Sequence, residues 1–153
     1  MAGFTHLHVH SHWSLLAGAW APSEIAAAAA RLGMPAVALT DTDALHGVVP
    51  FARACEAHGV RPIVGAELTD PRSRRRAVFL APDDAGYEAL CRLVTARRCD
   101  DGFDLARAIA ARDPRLLAFT RDHRLLEAAG AAGRTDGLWA EVRPAPPGNE
   151  PTA

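Results

Sequence analysis

Lysine is missing from this 153-residue chain, in which all 17 basic residues are arginine. With the abundance of alanine, that pattern reads as coding bias, and no mechanism is drawn from it. A surplus of either charge is missing too. The formal net charge is −1, so no global field recruits nucleic acid, and contact with DNA is expected only indirectly. Cysteine is scarce and odd in number: Cys55, Cys91 and Cys99 form no close pair, which points to reduced thiols and a cytoplasmic location. All three fall in helix-like segments, where filling the core is the simpler role. No apolar run is long enough to span a bilayer, and no charged-then-apolar leader precedes Phe4, so the expectation is a soluble protein with no membrane contact. What is present is an apolar content of 49%, enough to build the core of one domain.

Histidine is concentrated at the amino-terminal end, in Phe4-Thr5-His6-Leu7-His8-Val9-His10-Ser11-His12-Trp13-Ser14-Leu15-Leu16. In an extended strand, side chains alternate between faces, which puts His6, His8 and His10 on one side and Leu7 and Val9 on the other. One face is expected to coordinate and the other to pack. Two imidazoles at i and i+2 can converge on one cation from a rigid backbone, and neutral imidazole suits transition metals. A purification tag would not alternate with apolar residues in this way.

Further along, Pro22-Ser23-Glu24 opens an alanine-rich helix that Gly33 ends, with Pro35 as a stop. Ala36 to Thr40 is an apolar run closed by Asp41 and reads as a buried parallel strand. A helix is expected over His46 to His58, with Pro50 tolerated only near its first turn. Strands follow at Arg61 to Leu68 and Ala77 to Leu80. Asp83 and Asp84 can cap a helix reaching Arg98, and a shorter helix spans Asp104 to Arg112. Strand Leu116 to Thr120, helix Asp122 to Ala129 and strand Leu138 to Val142 complete the pattern. Residues 1–143 are thus expected to form one domain, and the Pro-rich stretch from Pro144 to Ala153 a disordered tail.

Strand and helix are read as alternating throughout, which predicts an α/β fold of about six near-sequential, mostly parallel strands with the helices outside. In such folds, function collects at the carboxyl ends of strands. The polar residues follow that rule: His8 and His10 end the first strand, Asp41 the second and Glu67 the third. Each alone has a duller explanation, as a cap or a solvated acid, but together they predict a metal site at one rim. Two imidazoles with carboxylates suit Zn, Mn or Fe better than Ca. Arg74, Arg75 and Arg76 follow Pro71 in a basic run that could grip phosphate, against the simpler reading of a solvated loop. Trp13, Trp20 and Trp139 are expected to pack, not to stack on bases.

These residues carry a family resemblance. His8-Val9-His10-Ser11-x-x-Ser14-Leu15-Leu16, Ala38-Leu39-Thr40-Asp41-Thr42-Asp43-Ala44-Leu45-x-Gly47 and Arg61-Pro62-Ile63-Val64-Gly65-Ala66-Glu67 resemble the opening motifs of a PHP (polymerase and histidinol phosphatase) domain. The match is specific from Phe4 to about Thr95 and, more narrowly, resembles the amino terminus of bacterial DNA polymerase III alpha subunits, especially the error-prone type. The resemblance implies a distorted β/α barrel with a multi-metal site at its rim, in a family that includes phosphatases and exonucleases. It places His8 and His10 on the first metal-binding pair, Asp41 on the acid of the second motif and Glu67 on the carboxylate of the third. It also marks departures. Thr42 stands where the family usually has His, Ala17 where an acid is common, and Arg76 near a later His. An Asp-x-His of the family is expected beyond this chain, and the adjacent Asp122 and His123 do not match its spacing.

Four ligand groups suffice for one ion, whereas metal-assisted phosphoester hydrolysis in this family relies on more. The favoured expectation is therefore a PHP domain of a polymerase III alpha or error-prone polymerase system, with a degenerate metal site and a structural or docking role. Its partners would be polymerase subunits, or a second chain at an open apolar barrel edge. The alternative is a stand-alone metal-dependent phosphoesterase or 3′–5′ exonuclease.

Overall fold

A computed structural model of the chain describes residues 3–142; the tail expected from Pro144 to Ala153 lies outside them. Helix α1 (Pro22–Arg31) begins with proline at its first position, and Glu24 Oε2 accepts the Ala21 N–H at 2.6 Å. Proline presets the backbone angle there, and the glutamate satisfies a donor that the helix itself leaves free. Gly33, with φ 67°, ends the helix in the left-handed region. The small alanine side chains let α1 lie close on strand β1 (Ala36–Leu39), all four residues of which are buried. Helix α2 (Val48–Ala57) packs on α1, and its Pro50 falls in the first turn, where no intrahelical bond is lost.

Strand β2 (Arg61–Thr69) runs parallel to β1, but β3 (Arg76–Ala81) runs antiparallel to β2. Alternation of strand and helix therefore fails at this point. The loop of residues 70–75 cannot hold the crossover that a parallel return needs, so β2 and β3 form a hairpin. Helix α3 (Asp84–Cys99), helix α4 (Leu105–Ala110), strand β4 (Leu117–Thr120), helix α5 (His123–Ala131) and strand β5 (Leu138–Ala140) follow. Asp83, Asp104 and Asp122 each cap the next helix by accepting a backbone N–H. The five strands lie in sequence order, with β3 alone reversed, so four of the five point the same way.

The amino-terminal segment is not the regular strand that its pattern predicts. It lies beside β1, where Ala38 N donates to His6 O and Thr40 N to Val9 O, each at 2.8 Å. Two steps along β1 thus match three along the segment, so one residue bulges out and the simple alternation breaks. The Thr40 hydroxyl fills the gap in the ladder by accepting the Val9 N–H at 2.9 Å. Val9 keeps its place against the helix-facing core, but Leu7 is 42% exposed and lines the opposite face.

Core residues divide by face, as the strand pleat requires. Ala66, Leu68, Phe79 and Ala118 pack outward with Leu90, Leu105, Ile109 and Leu125 of the helices. Ile25, Leu39, Phe51 and Cys55 fill the space under α1 and α2. Val78, Leu80, Leu117 and Phe119 point to the inner face and line a cleft of about 1180 Å³. The sheet is curled around that cleft. In a flat sheet, five strand spacings would put the amino-terminal segment about 24 Å from β5; instead His8 Nδ1 lies 3.3 Å from Oε1 of Glu141, just after β5. The sheet is therefore a curled trough with helices outside. Among the described residues β5 pairs on one side only, with β4.

Some packing expectations change. Trp13, Trp20 and Trp139 are each about half exposed, because two lie on the loop before α1 and one on the edge strand. Cys55 is buried, Cys91 is half-buried and Cys99 is exposed, all as free thiols. Buried Arg112 donates to the carbonyls of Ile109, Leu116, Arg134 and Asp136, tying α4 to the turn before β5. No helix among the described residues is long and apolar enough to cross a membrane.

Candidate metal centre

Strand pleating aims Glu67 into the cleft. Ala66 and Leu68 on either side of it point to the helices, so Glu67 must face inward although it is 5% exposed. It does not end its strand, as expected from sequence, but sits two residues before Thr69. Across the cleft wall, His8 and His10 bring their Nε2 atoms within 3.1 Å of each other. His8 Nε2 lies 3.3 Å from Glu67 Oε1, and His10 Nε2 lies 3.8 Å from Oε2. One ligand atom from each of these three residues falls within 4.8 Å of the others.

The outer nitrogens are held from behind. The Ser14 hydroxyl donates to Asp41 Oδ1 at 2.6 Å, so toward His10 Nδ1, 3.1 Å away, its oxygen can only accept. Nδ1 of His10 thus carries the proton, and Nε2 presents a lone pair. His8 has a carboxylate at each ring nitrogen, Glu141 at Nδ1 and Glu67 at Nε2, both at 3.3 Å, so either nitrogen can carry its proton. With the His8 proton on Nδ1, two imidazole lone pairs and the Oε1 of Glu67 face one another. Such a set fits one cation, and a proton on His8 is the smallest that can serve. The hydrogen bond to Glu67 raises the His8 pKa above its usual value, against the opposing effect of burial and with help from Glu141. Burial lowers that of His10. Burial also disfavours the ionised form of Glu67, but hydrogen bonds from His8 and Arg76 outweigh it and bring its pKa down to about 2.

Of the residues singled out from sequence, the structure brings together His8, His10 and Glu67 and sets Asp41 apart. Asp41 is 1% exposed, and both its oxygens are taken: the Ser11 N–H and Ser14 hydroxyl bond Oδ1, and the Ser11 hydroxyl bonds Oδ2, at 2.6 to 2.7 Å. It reaches the centre only through Ser14. Gly18 presses against the same turn, where a Cβ would lie 2.1 Å from the Ser11 carbonyl oxygen.

The basic run divides in the same way. Arg74 lines the cleft, Arg75 Nε pairs with Asp122 at 3.7 Å, and Arg76 NH1 donates to Glu67 Oε2 at 2.7 Å. Thr42, where the resemblance implies a histidine, donates its hydroxyl to the same oxygen at 3.2 Å and approaches His10 Nδ1. Glu141 and its partner Arg121, 2.7 Å apart, went unnoticed in the sequence. Glu141 follows β5 as Asp41 follows β1, but the strand expected over Leu138 to Val142 enclosed it and hid that signal.

The PHP domain family matches residues 6–140. An error-prone DNA polymerase of Anaeromyxobacter sp. (strain K) is 38% identical over 141 residues, which are 90% of this chain and 12% of that polymerase. The DNA polymerase III subunit alpha of Bacillus subtilis is 40% identical over 95 residues, 59% of this chain and 8% of the subunit. This chain therefore spans about an eighth or less of the polymerases it resembles. Among solved structures, a protein of Bifidobacterium adolescentis assigned as a metal-dependent phosphoesterase superposes with a TM-score of 0.62 at 16% identity, covering 92% of this chain and 77% of that one. At that identity the likeness speaks for the fold. Family match and relatives converge, and the chain belongs to the PHP domain family.

Proposed function

We propose that this chain serves as a PHP module of a bacterial DNA polymerase III alpha or error-prone polymerase system, with a structural or docking role and a reduced metal site. The observation that carries the reading is the occupancy of Glu67 Oε2 by Arg76 at 2.7 Å, where a catalytic centre would need that oxygen for metal. His8, His10 and Glu67 remain as donors for a single ion, of the Zn, Mn or Fe kind. When bound, such an ion would lower the pKa of a bound water and polarise a phosphoryl oxygen. His10 is kept as an Nε2 donor by Ser14, and His8 is oriented by Glu141. Hydrolysis at a useful rate asks for further ions to stabilise the leaving oxygen, and the described residues offer no second cluster of this kind. The half-exposed Trp139 on the free edge strand β5 supports docking of a polymerase subunit or a second chain there, with DNA contacted only through that partner. A cytoplasmic setting goes with the free thiols.

Hydrolysis of a chromogenic phosphodiester, a phosphomonoester and a 3′-labelled oligonucleotide with added Mn²⁺ or Zn²⁺ tests this reading. Turnover at the no-protein background is expected. Turnover that depends on metal and disappears in H8A/H10A would replace the docking role with the phosphoesterase or exonuclease alternative.

A further inference from the structure

Arg76 stands at the first position of β3, beside Thr69 in the β2–β3 register. Its backbone is fixed there, because its carbonyl accepts the Thr120 hydroxyl at 2.7 Å. Its side chain is 54% exposed and enters the cleft from solvent to reach the buried carboxylate of Glu67. Among the described residues Glu67 is its only carboxylate partner within ion-pair distance. The guanidinium and the Thr42 hydroxyl both bond Oε2, while Oε1 faces His8. The oxygen nearest His10 is thus already paired with a cation that belongs to the protein.

We propose that Arg76 is a resident counter-cation that competes with a divalent ion for Glu67, so that an ion gains this carboxylate only when the guanidinium swings out to solvent. The inference rests on the three-donor site proposed above. Two physical facts carry it. While Arg76 stays on Glu67, it cancels the anionic charge that would attract a dication and repels the incoming ion at close range. It also occupies a lone-pair direction of Oε2, so an ion using that oxygen must displace a charge-assisted hydrogen bond. Because the guanidinium is half in water, leaving costs it little solvation, and the exchange needs no movement of the buried strand. Arg76 therefore sets the affinity of the site without being a ligand of it.

Isothermal titration with Mn²⁺ and with Zn²⁺, on the wild-type chain and on R76A, R76Q and R76K, tests the exchange. R76Q guards against a folding defect in R76A, since it keeps most of the side-chain volume. The expected result is that both neutral variants bind the ion at least tenfold more tightly than wild type, that R76K stays near wild type, and that the gain disappears when H8A/H10A is added. Thermal melts give a second readout: the ion should raise the melting temperature of R76Q by more than that of wild type. Equal or weaker binding by the neutral variants overturns the proposal, and so does R76K binding as tightly as R76Q, or a gain that survives loss of the histidines. If wild type binds the ion and the neutral variants match it, the three-donor site stands and only the competition fails. If none of the proteins binds an ion, both readings fall.

Discussion

Asp41 and Glu67 are both carboxylates of this chain that lie almost wholly out of solvent, and both close an apolar strand pattern in the sequence. Their partners differ in kind. Asp41 receives one backbone N–H and two serine hydroxyls, neutral donors fixed by the turn they belong to. Glu67 receives a histidine, a threonine hydroxyl and the tip of a half-exposed arginine. A carboxylate satisfied by fixed neutral donors is an anchor, because none of those donors can leave without unfolding the turn. One satisfied by titratable or movable groups is exchangeable, because water or an ion can replace them. The comparison separates what holds the centre in place from what the centre can bind, although both residues look alike in sequence.

The comparison breaks most severely at the anchor. Asp41→Ala would strand three buried donors, each costing about 1 to 3 kcal/mol, and is expected to lower stability by about 3 to 5 kcal/mol in urea titration. It should also release the Ser11–Ser14 turn and with it the orientation of His10. A result below about 1 kcal/mol would mean that water replaces the carboxylate. Gly18→Ala forces a Cβ against the Ser11 carbonyl and is expected to cost about 1 to 3 kcal/mol by overpacking, with metal uptake weakened because the same turn holds His10. Full retention of both would show that the loop relaxes freely.

Glu67→Gln should cost less at neutral pH, about 1 to 2 kcal/mol, since most of its contacts survive as neutral hydrogen bonds. Its signature is the pH profile. The ordinary Glu67 pKa of 4.5 is lowered to about 2 in the fold, so its stabilisation is complete above pH 4.5 and is lost as pH falls towards 2. Chemical denaturation between pH 6 and pH 2.5 should therefore show a shallower acid loss in the variant, and parallel profiles would sink the assignment. The smallest effect is expected at Leu7→Ala. With 42% of Leu7 exposed, the loss should stay below about 1 kcal/mol, well under the roughly 2 to 5 kcal/mol of a fully buried leucine. A larger loss would place Leu7 in contacts that its exposure does not reveal.

That last expectation shows where reading the sequence went astray. Alternation in Phe4 to His10 placed Leu7 with Val9 in the core, and it would have been right for a regular strand. One bulged residue beside β1 sufficed to turn Leu7 into the cleft, and a bulge leaves no mark in a pattern of period two. The same reading grouped His8, His10 and Glu67, which the fold brings together, because residue identity displays the chemistry of a side chain. It grouped Asp41 with them because an acid after a strand looks alike whether serines or histidines await it. Glu141, far along the chain from His8, became a partner only when the sheet curled.

By itself the sequence determined the kind of elements, most of their limits and the layering. Helix caps at Asp83, Asp104 and Asp122, the proline at the start of α1 and the apolar runs of β1 to β4 act locally, through backbone geometry and nearest neighbours. The tertiary structure alone decided the curl that brings β5 back to the amino-terminal segment, and which cation sits on Glu67. Those outcomes depend on pairings between residues distant in the chain, whose energies are settled by competition among many possible partners. The identity of Arg76 announces a positive charge, but only the approach of β3 to β2 gives that charge a carboxylate to hold.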